Sequence, residues 1–254
     1  MNPEEYRRLY EAEDTHWWFV GMRRIAFEIL DAARPALAQG RILDAGCGTG
    51  STLAHLTPRG RPIGVDLAPE ALAFCQKRGV VAARAALESL PFQDAAFSCV
   101  TSFDVLYHQW VEDDLRALRE LVRVLEPGGL LVLRLPALEM LRGAHDEAVQ
   151  TRRRYTKARV RSLLDAAGVE ILRITYCNSL LFPLMALRRA RDRFTGSDES
   201  DVAPLPPLLD RCLGAVLSLE AFVLRFIDLP VGSSLMALAR KPAGYNAPMA
   251  TGKP

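Results

Sequence analysis

The sequence is poor in several features, and each shortage removes a class of function. Five cysteines (Cys47, Cys75, Cys99, Cys177, Cys212) form no Cys-x-x-Cys pair, and their odd number argues against a disulfide framework. They read as small buried hydrophobes in a reducing compartment. The net charge is only +2, too mild to imply a nucleic-acid partner. The opening MNPEEYRRLYEAED is too charged for the apolar core of a signal peptide. No unbroken apolar run reaches the length of a membrane span, so the expectation is a cytoplasmic protein without a transmembrane segment. There is no internal repeat, and no metal site is expected.

What is present is a chain of 254 residues, 50% hydrophobic and 24% charged. That is enough for one sizeable α/β domain, or for one domain with a substantial insertion. The spacing of apolar residues predicts helices over 3–13 and 18–34, the second with Phe19, Met22, Ile25, Ile29 and Leu30 on one face. Strands and helices then alternate. RILDAG, PIGVDL, VVAARAA, FSCVTSF and GGLLVLRLP read as strands, and STLAHL, PEALAFCQKR and EDDLRALRELVRVL as helices. Pro69 suits a first helical turn, and Pro127-Gly128-Gly129 stops a helix. Such alternation means a parallel sheet with helices on both faces. A helix from Thr156 to the Gly168 stop, the strand VEILRITY and a closing strand from Ser234 to Pro242 complete the pattern. The domain reading is an N-terminal helical flap (1–36), a core (37–177 and 231–242), a helical insertion (178–230) split by the polar stretch 195–201, and a flexible tail (243–254).

Residues 41–50, RILDAGCGTG, put an acid and three alternate glycines between a strand and a helix. Glycines there let the backbone turn tightly and approach a ligand closely. A dinucleotide site would place its last small residue on Ser51, and Asp44 would repel a pyrophosphate. A P-loop is excluded because no Gly-Lys-Ser/Thr follows. A ligand with a positive centre, such as an amino acid carrying a sulfonium, reverses the argument against Asp44. A second acid, Asp66, closes the next strand, 22 residues on, where it can accept hydrogen bonds from both hydroxyls of a ribose.

With these residues in place the chain resembles the class I S-adenosylmethionine-dependent methyltransferases, through LDAGCGTG, GVDLAPEAL, LESLPFQDAAFSCVTSFDVLYH and LRELVRVLEPGGLLVLRLP, about residues 40–136. The resemblance implies a Rossmann-like, seven-stranded, mostly parallel sheet whose last strand is antiparallel, and S-adenosyl-L-methionine as cofactor. It implies that Asp44 and the backbone of Gly46 and Gly48 hold the methionine part and Asp66 the ribose. Leu67 would pack on the adenine, the amide of Leu87 would bond it, and Phe103 would line the methionine end. Where such enzymes often place an aspartate before LPF, this chain has Ala86.

Methyl transfer from a sulfonium asks mainly for alignment and exclusion of water, with a general base where the acceptor is a hydroxyl. Two of the four histidines sit where an acceptor would approach: His108 after the fourth strand and His145, beside Asp146, after the fifth. In HWWFVGMRR (16–24) the functional reading is a flap, with Trp17 or Trp18 walling the cofactor and Arg23 or Arg24 meeting the methionine carboxylate. In TRRRYTKARVR (151–161) Arg154 and Tyr155 could recognise an acidic group on the acceptor, against a solvated helix start.

The function expected is methyl transfer to a small-molecule acceptor, at oxygen, the acceptor being aromatic, glycan-linked or lipid-linked. The rivals are an RNA or other macromolecule methyltransferase and a non-catalytic cofactor-binding regulator. Against the former, no Asn-Pro-Pro-Tyr/Phe motif, Pro-Cys nucleophile or large basic patch is present. The insertion's second helix, with Leu213, Val216, Leu217, Leu219, Leu224 and Phe226, is apolar over much of its circumference and must bury against something. A lid over the acceptor is expected; an extension of the core, a homodimer face and a membrane-surface helix are the alternatives.

Overall fold

The computed structural model describes residues 3–33, 40–143, 146–147, 149–195 and 205–245. Two helices, α1 (Pro3–Ala12) and α2 (Trp17–Ala33), precede the sheet. The alternating part follows as β1 (Arg41–Ala45), α3 (Ser51–Leu56), β2 (Arg61–Asp66), α4 (Pro69–Arg78), β3 (Ala82–Arg84), β4 (Phe97–Phe103), α5 (Asp114–Val124) and β5 (Leu125–Pro136). Then come α6 (Lys157–Ala167), β6 (Glu170–Cys177), α7 (Phe182–Thr195), α8 (Pro207–Val223) and β7 (Ser234–Arg240). The expected polar stretch 195–201, beyond Thr195, and the tail beyond Tyr245 lie outside the described residues.

One seven-stranded sheet forms, in the order β3-β2-β1-β4-β5-β7-β6. β7 runs antiparallel to both neighbours and the other pairings are parallel, as the Rossmann-like reading requires. The order reverses at β1, which lies between β2 and β4, so the crevice at the carboxyl ends of β1 and β4 is where a ligand enters such a sheet.

Successive residues of a strand point to opposite faces, and this divides the core in two. Ile42, Cys99, Leu130, Val132, Met236 and Leu238 pack on one face, while Leu43, Val100, Leu131, Leu133, Ala237 and Ala239 pack on the other. The first face is covered by Met22, Ile25, Ala26, Ile29 and Leu30 of α2 together with Leu217 and Ala221 of α8 and Leu224 just beyond it. Two expectations change here. α2 is a core helix, and only its first two turns, through Trp17, Trp18, Phe19 and Arg23, reach the cavity. The second helix of the insertion covers the sheet and does not overlie the cleft; the face supposed to be already covered needs it. The local signals otherwise act as anticipated. Asp113 caps α5 by accepting from the amides of Leu115 (2.8 Å) and Arg116 (3.1 Å), and Gly79 and Gly168 end α4 and α6 in the left-handed conformation.

Candidate active site

A cavity of about 550 Å³ opens at the carboxyl ends of β1 and β4. Its floor is the glycine loop. The amides of Gly46 and Cys47 donate to the Val65 carbonyl (2.8 and 2.9 Å), tying the loop to β2. Gly46 has φ +82°, and a side chain there would meet Val105 Cγ2 at 2.2 Å, so the loop sits tight against the segment after β4. The Gly48 amide donates to Asp66 Oδ2 (2.9 Å) and the Ala68 amide to Oδ1 (3.0 Å), fixing the Asp66 carboxylate at the cavity wall. Burial raises the Asp66 pKa. Ala85 donates to the Asp66 carbonyl (3.1 Å), which brings Ala86 and Leu87 to the same wall as the half-exposed Leu67.

Asp44 lies deeper, 2% exposed, and accepts from Thr101 Oγ1 at 2.7 Å. Burial pushes its carboxyl up to about 7, against the opposing pull of that hydrogen bond and of Arg134. Next to it Phe103 lines the cavity. The buried Arg134 of β5 donates through Nε to Asp104 (2.6 Å), with its guanidinium 5.2 Å from the Phe103 ring centroid and 5.1 Å from that of Trp18. Arg134 thus joins the N-terminal helix to the end of β4. Sequence reading missed it; the signal was a lone cation inside the apolar run LLVLRLP.

The N-terminal segment closes the side of the cavity next to the glycine loop. Tyr6 and Leu9 of α1 and Trp17, Trp18 and Arg23 of α2 line the cavity. Tyr10 stacks on Phe74 of α4 (4.8 Å), holding α1 there. Arg23 donates to the Glu13 carbonyl (3.0 Å) and to Ser51 Oγ (2.9 Å), at the start of α3.

On the opposite side the wall is built by Tyr107, His108, Val149, Thr151 and Arg154, and by Met185, Arg188 and Arg189 of α7. The first helix of the insertion therefore contributes to the cavity, whereas no residue of α8 does. A side chain at Gly143 would meet the Arg189 guanidinium at 2.8 Å, so Arg189 lies against the segment after β5. The His108 ring lies tilted against that of Tyr107 (centroids 4.4 Å apart), burial pushes its pKa down to about 4, and its buried Nδ1 has no partner among the described residues. It is neutral at physiological pH and a weak base. His145 lies outside the described residues.

Tyr155 is corrected. It is fully buried, away from the cavity, with its hydroxyl on the Leu106 carbonyl and Asp114 Oδ2 (both 3.1 Å). Arg152, Arg153 and Arg159 also reach Asp114 (2.7, 2.9 and 3.4 Å), so half of the cationic run gathers on one buried carboxylate. Arg154 does face the cavity, but as half of a forked pair with Asp146 (2.9 and 3.1 Å), its Nη1 on the Ala137 carbonyl (2.9 Å).

A family model described as a methyltransferase domain matches residues 43–133, the stretch that builds this floor. A malonyl-[acyl-carrier protein] O-methyltransferase of Herminiimonas arsenicoxydans is 37% identical over 145 residues, 54% of this chain and 55% of that one. A tRNA (carboxymethyluridine(34)-5-O)-methyltransferase of Arabidopsis thaliana is 33% identical over 134 residues, 52% of this chain and 32% of that one. The chain thus spans about half or less of the length of these curated relatives. A solved S-adenosylmethionine-dependent methyltransferase of Thermotoga maritima shares the fold, with TM-score 0.59 and 20% identity over 94% of this chain and 95% of that one. Residues 43–133, with the glycine loop and two strand-end acids at their centre, match a methyltransferase domain, and the chain shares its fold with solved S-adenosylmethionine-dependent methyltransferases.

Proposed function

We propose that this protein transfers the methyl group of S-adenosyl-L-methionine to an oxygen of a small-molecule acceptor. The observation that carries the reading is that one cavity runs from the glycine loop and its two acids to the wall formed by His108, Arg154 and α7, so cofactor and acceptor would share one enclosed space. The residues fit the cofactor. Asp44 is a buried carboxylate whose donor is the neutral Thr101, an environment that a sulfonium and an ammonium would relieve. Asp66 retains acceptor capacity beyond its amide bonds, enough for two ribose hydroxyls. Gly48, at φ +53°, leaves the loop backbone bare towards the cavity. Leu67 and Leu87 would flank the adenine, Trp18 and Phe103 would wall the methionine end, and Arg23 would meet the methionine carboxylate through its remaining N–H groups.

The cofactor supplies an electrophilic methyl on a good leaving group. The chain's part is to exclude water with α1, α2 and α7 and to align the acceptor. Oxygen is favoured because the acceptor wall offers arginines and a neutral imidazole. An ionised oxygen, such as a carboxylate or phenolate, is held by such a wall and needs no base. His108 would then position the acceptor by accepting, at Nδ1, from an O–H or N–H elsewhere on that molecule and not from the ionised oxygen itself. His108→Gln should lower turnover by less than about 10-fold, against the 10²–10⁴-fold expected of a general base.

The deciding experiment supplies the purified chain with methyl-labelled cofactor and, separately, carboxylic acids, phenols, lipid-linked hydroxyl compounds and total tRNA. Label in an extractable small molecule as an ester or ether supports the proposal. Label in tRNA replaces it with macromolecule methylation, and tight cofactor binding without transfer to anything offered favours a regulatory protein.

A further inference from the structure

The side of α8 facing away from α2 is apolar. Leu208, Cys212, Ala215, Leu219 and Phe222 of α8, and Phe226 in the turn that follows it, recur at intervals of four and three residues, and all are exposed, Leu208 and Phe226 by 76% and 72%. This narrow stripe has the spacing of a helix–helix seam and is distinct from the buried stripe of Leu217, Ala221 and Leu224. Phe222 and Phe226 meet edge to face at 5.3 Å and form a ridge at its carboxyl end.

We infer that this seam is the interface of a two-fold homodimer in which α8 pairs antiparallel with α8 of a second copy. Size complementarity selects that partner and that direction. The amino-terminal half of the seam carries Leu, Cys and Ala; the carboxyl-terminal half carries Leu, Phe and Phe. Antiparallel pairing centred on residue 217 sets Cys212 against the second Phe222, Ala215 against the second Leu219 and Leu208 against the second Phe226. Each layer then joins a smaller side chain to a larger one, and the contact is self-complementary, as two-fold symmetry requires. Parallel pairing would set phenylalanine on phenylalanine and leave a gap at Ala215.

The area suffices. With the flanking Leu209 and Ile227, the seam would remove on the order of 600–800 Å² per copy from water, close to the ~800 Å² per partner of a standard interface. Charge points away from an anionic lipid surface, since residues 207–228 hold two arginines and three acids. Arg225 is already paired with Glu28 (3.0 Å), so the second copy's Arg211 arrives beside a neutral pair.

The test measures the mass of the full chain in solution by light scattering on a sizing column at about 1–100 µM. The expected result is two chains, with Phe222→Glu and Leu219→Glu each halving the mass while the monomer still unfolds cooperatively, its melting temperature lowered only by the lost dimer linkage and no longer dependent on protein concentration. Direction is read by cross-linking in a Cys212→Ser background. Mild oxidation should join an equimolar mixture of Ala215→Cys and Leu219→Cys proteins far more than either alone. A monomer throughout the range overturns the inference, and so does a dimer untouched by both glutamates. Equal cross-linking of each variant alone overturns the antiparallel arrangement, and a monomer that binds neutral phosphatidylcholine vesicles through this face assigns it to lipid instead.

Discussion

Asp44 carries the sharpest conflict between stability and function. Its carboxyl, ordinarily near 3.8, stands at about 7 in the fold because burial disfavours the charge. For an acid raised in this way the folded state prefers the proton, so the site weakens folding progressively as pH rises from about 4 to 7, and fully above 7. Asp44→Asn should therefore raise the melting temperature of the ligand-free protein at pH 8 while cutting cofactor affinity by at least tenfold. A cationic ligand holds the group ionised, so binding releases a proton. Cofactor affinity should fall up to tenfold per unit as pH drops below about 7, with a calorimetric enthalpy that depends on the buffer. A flat pH profile would count against Asp44 as the cation's partner. The placement of Asp44 and Asp66 at the cavity was legible in the sequence, because an acid at the carboxyl end of a strand, before a glycine loop in one case and before a helix in the other, has few uses. Arg134 was not, because a lone arginine in a strand looks like an interruption until Trp18 and Phe103 are seen on either side. Tyr155 was misread because a cationic run in sequence gives no sign of the distant carboxylate, Asp114, that gathers it.

Alternating strands and helices were readable because a period of two or of 3.6 is a local property. Which face of the sheet an amphipathic helix covers is not local, and there the reading of 178–230 went astray. Apolarity around α8 was correctly seen to demand burial, but the burial is against α2, at a contact fixed by a glycine. A side chain at Gly21 would meet Leu217 Cδ1 at 2.5 Å and Cβ at 2.6 Å. Alanine at 21 would gain about 1 kcal/mol of helix propensity but would push the helices apart at a packed contact, at a cost of about 1–3 kcal/mol. Gly21→Ala should leave the protein at best no more stable and Gly21→Val clearly less so, both read by urea denaturation. Leu217→Ala, from the other side of the contact, should cost about 2–5 kcal/mol. Met185→Ala on α7, facing the cavity, should barely move stability but raise the acceptor KM, which would separate the two helices by role.

The insertion therefore belongs to two parts of the molecule at once: α8 completes the core on one face of the sheet, and α7 walls the cavity. If 178–230 were only a lid, a chain with that segment replaced by a short loop would keep its fold and its cofactor. The packing says otherwise. Removing α8 takes Leu217, Ala221 and Leu224 from the layer that covers Met22, Met236 and Leu238, and leaves α2 without the helix against which Gly21 is fitted. Burial of large apolar side chains contributes about 1.5–3 kcal/mol each, and whole-domain stability is only about 5–15 kcal/mol, so losing this layer consumes much of the margin. The shortened chain should show no cooperative thermal transition, or one lowered by more than about 10 °C. Because α2 also carries Trp18 and Arg23 to the cavity, cofactor binding should weaken with the fold, although 178–230 contains none of the residues assigned to the cofactor. Calorimetric titration of the shortened protein with S-adenosyl-L-methionine, alongside its melting curve, decides the point. Full affinity with a near-native melting temperature would show that the segment is a dispensable lid and that the layer formed by α2 and α8 is not what holds this face of the sheet.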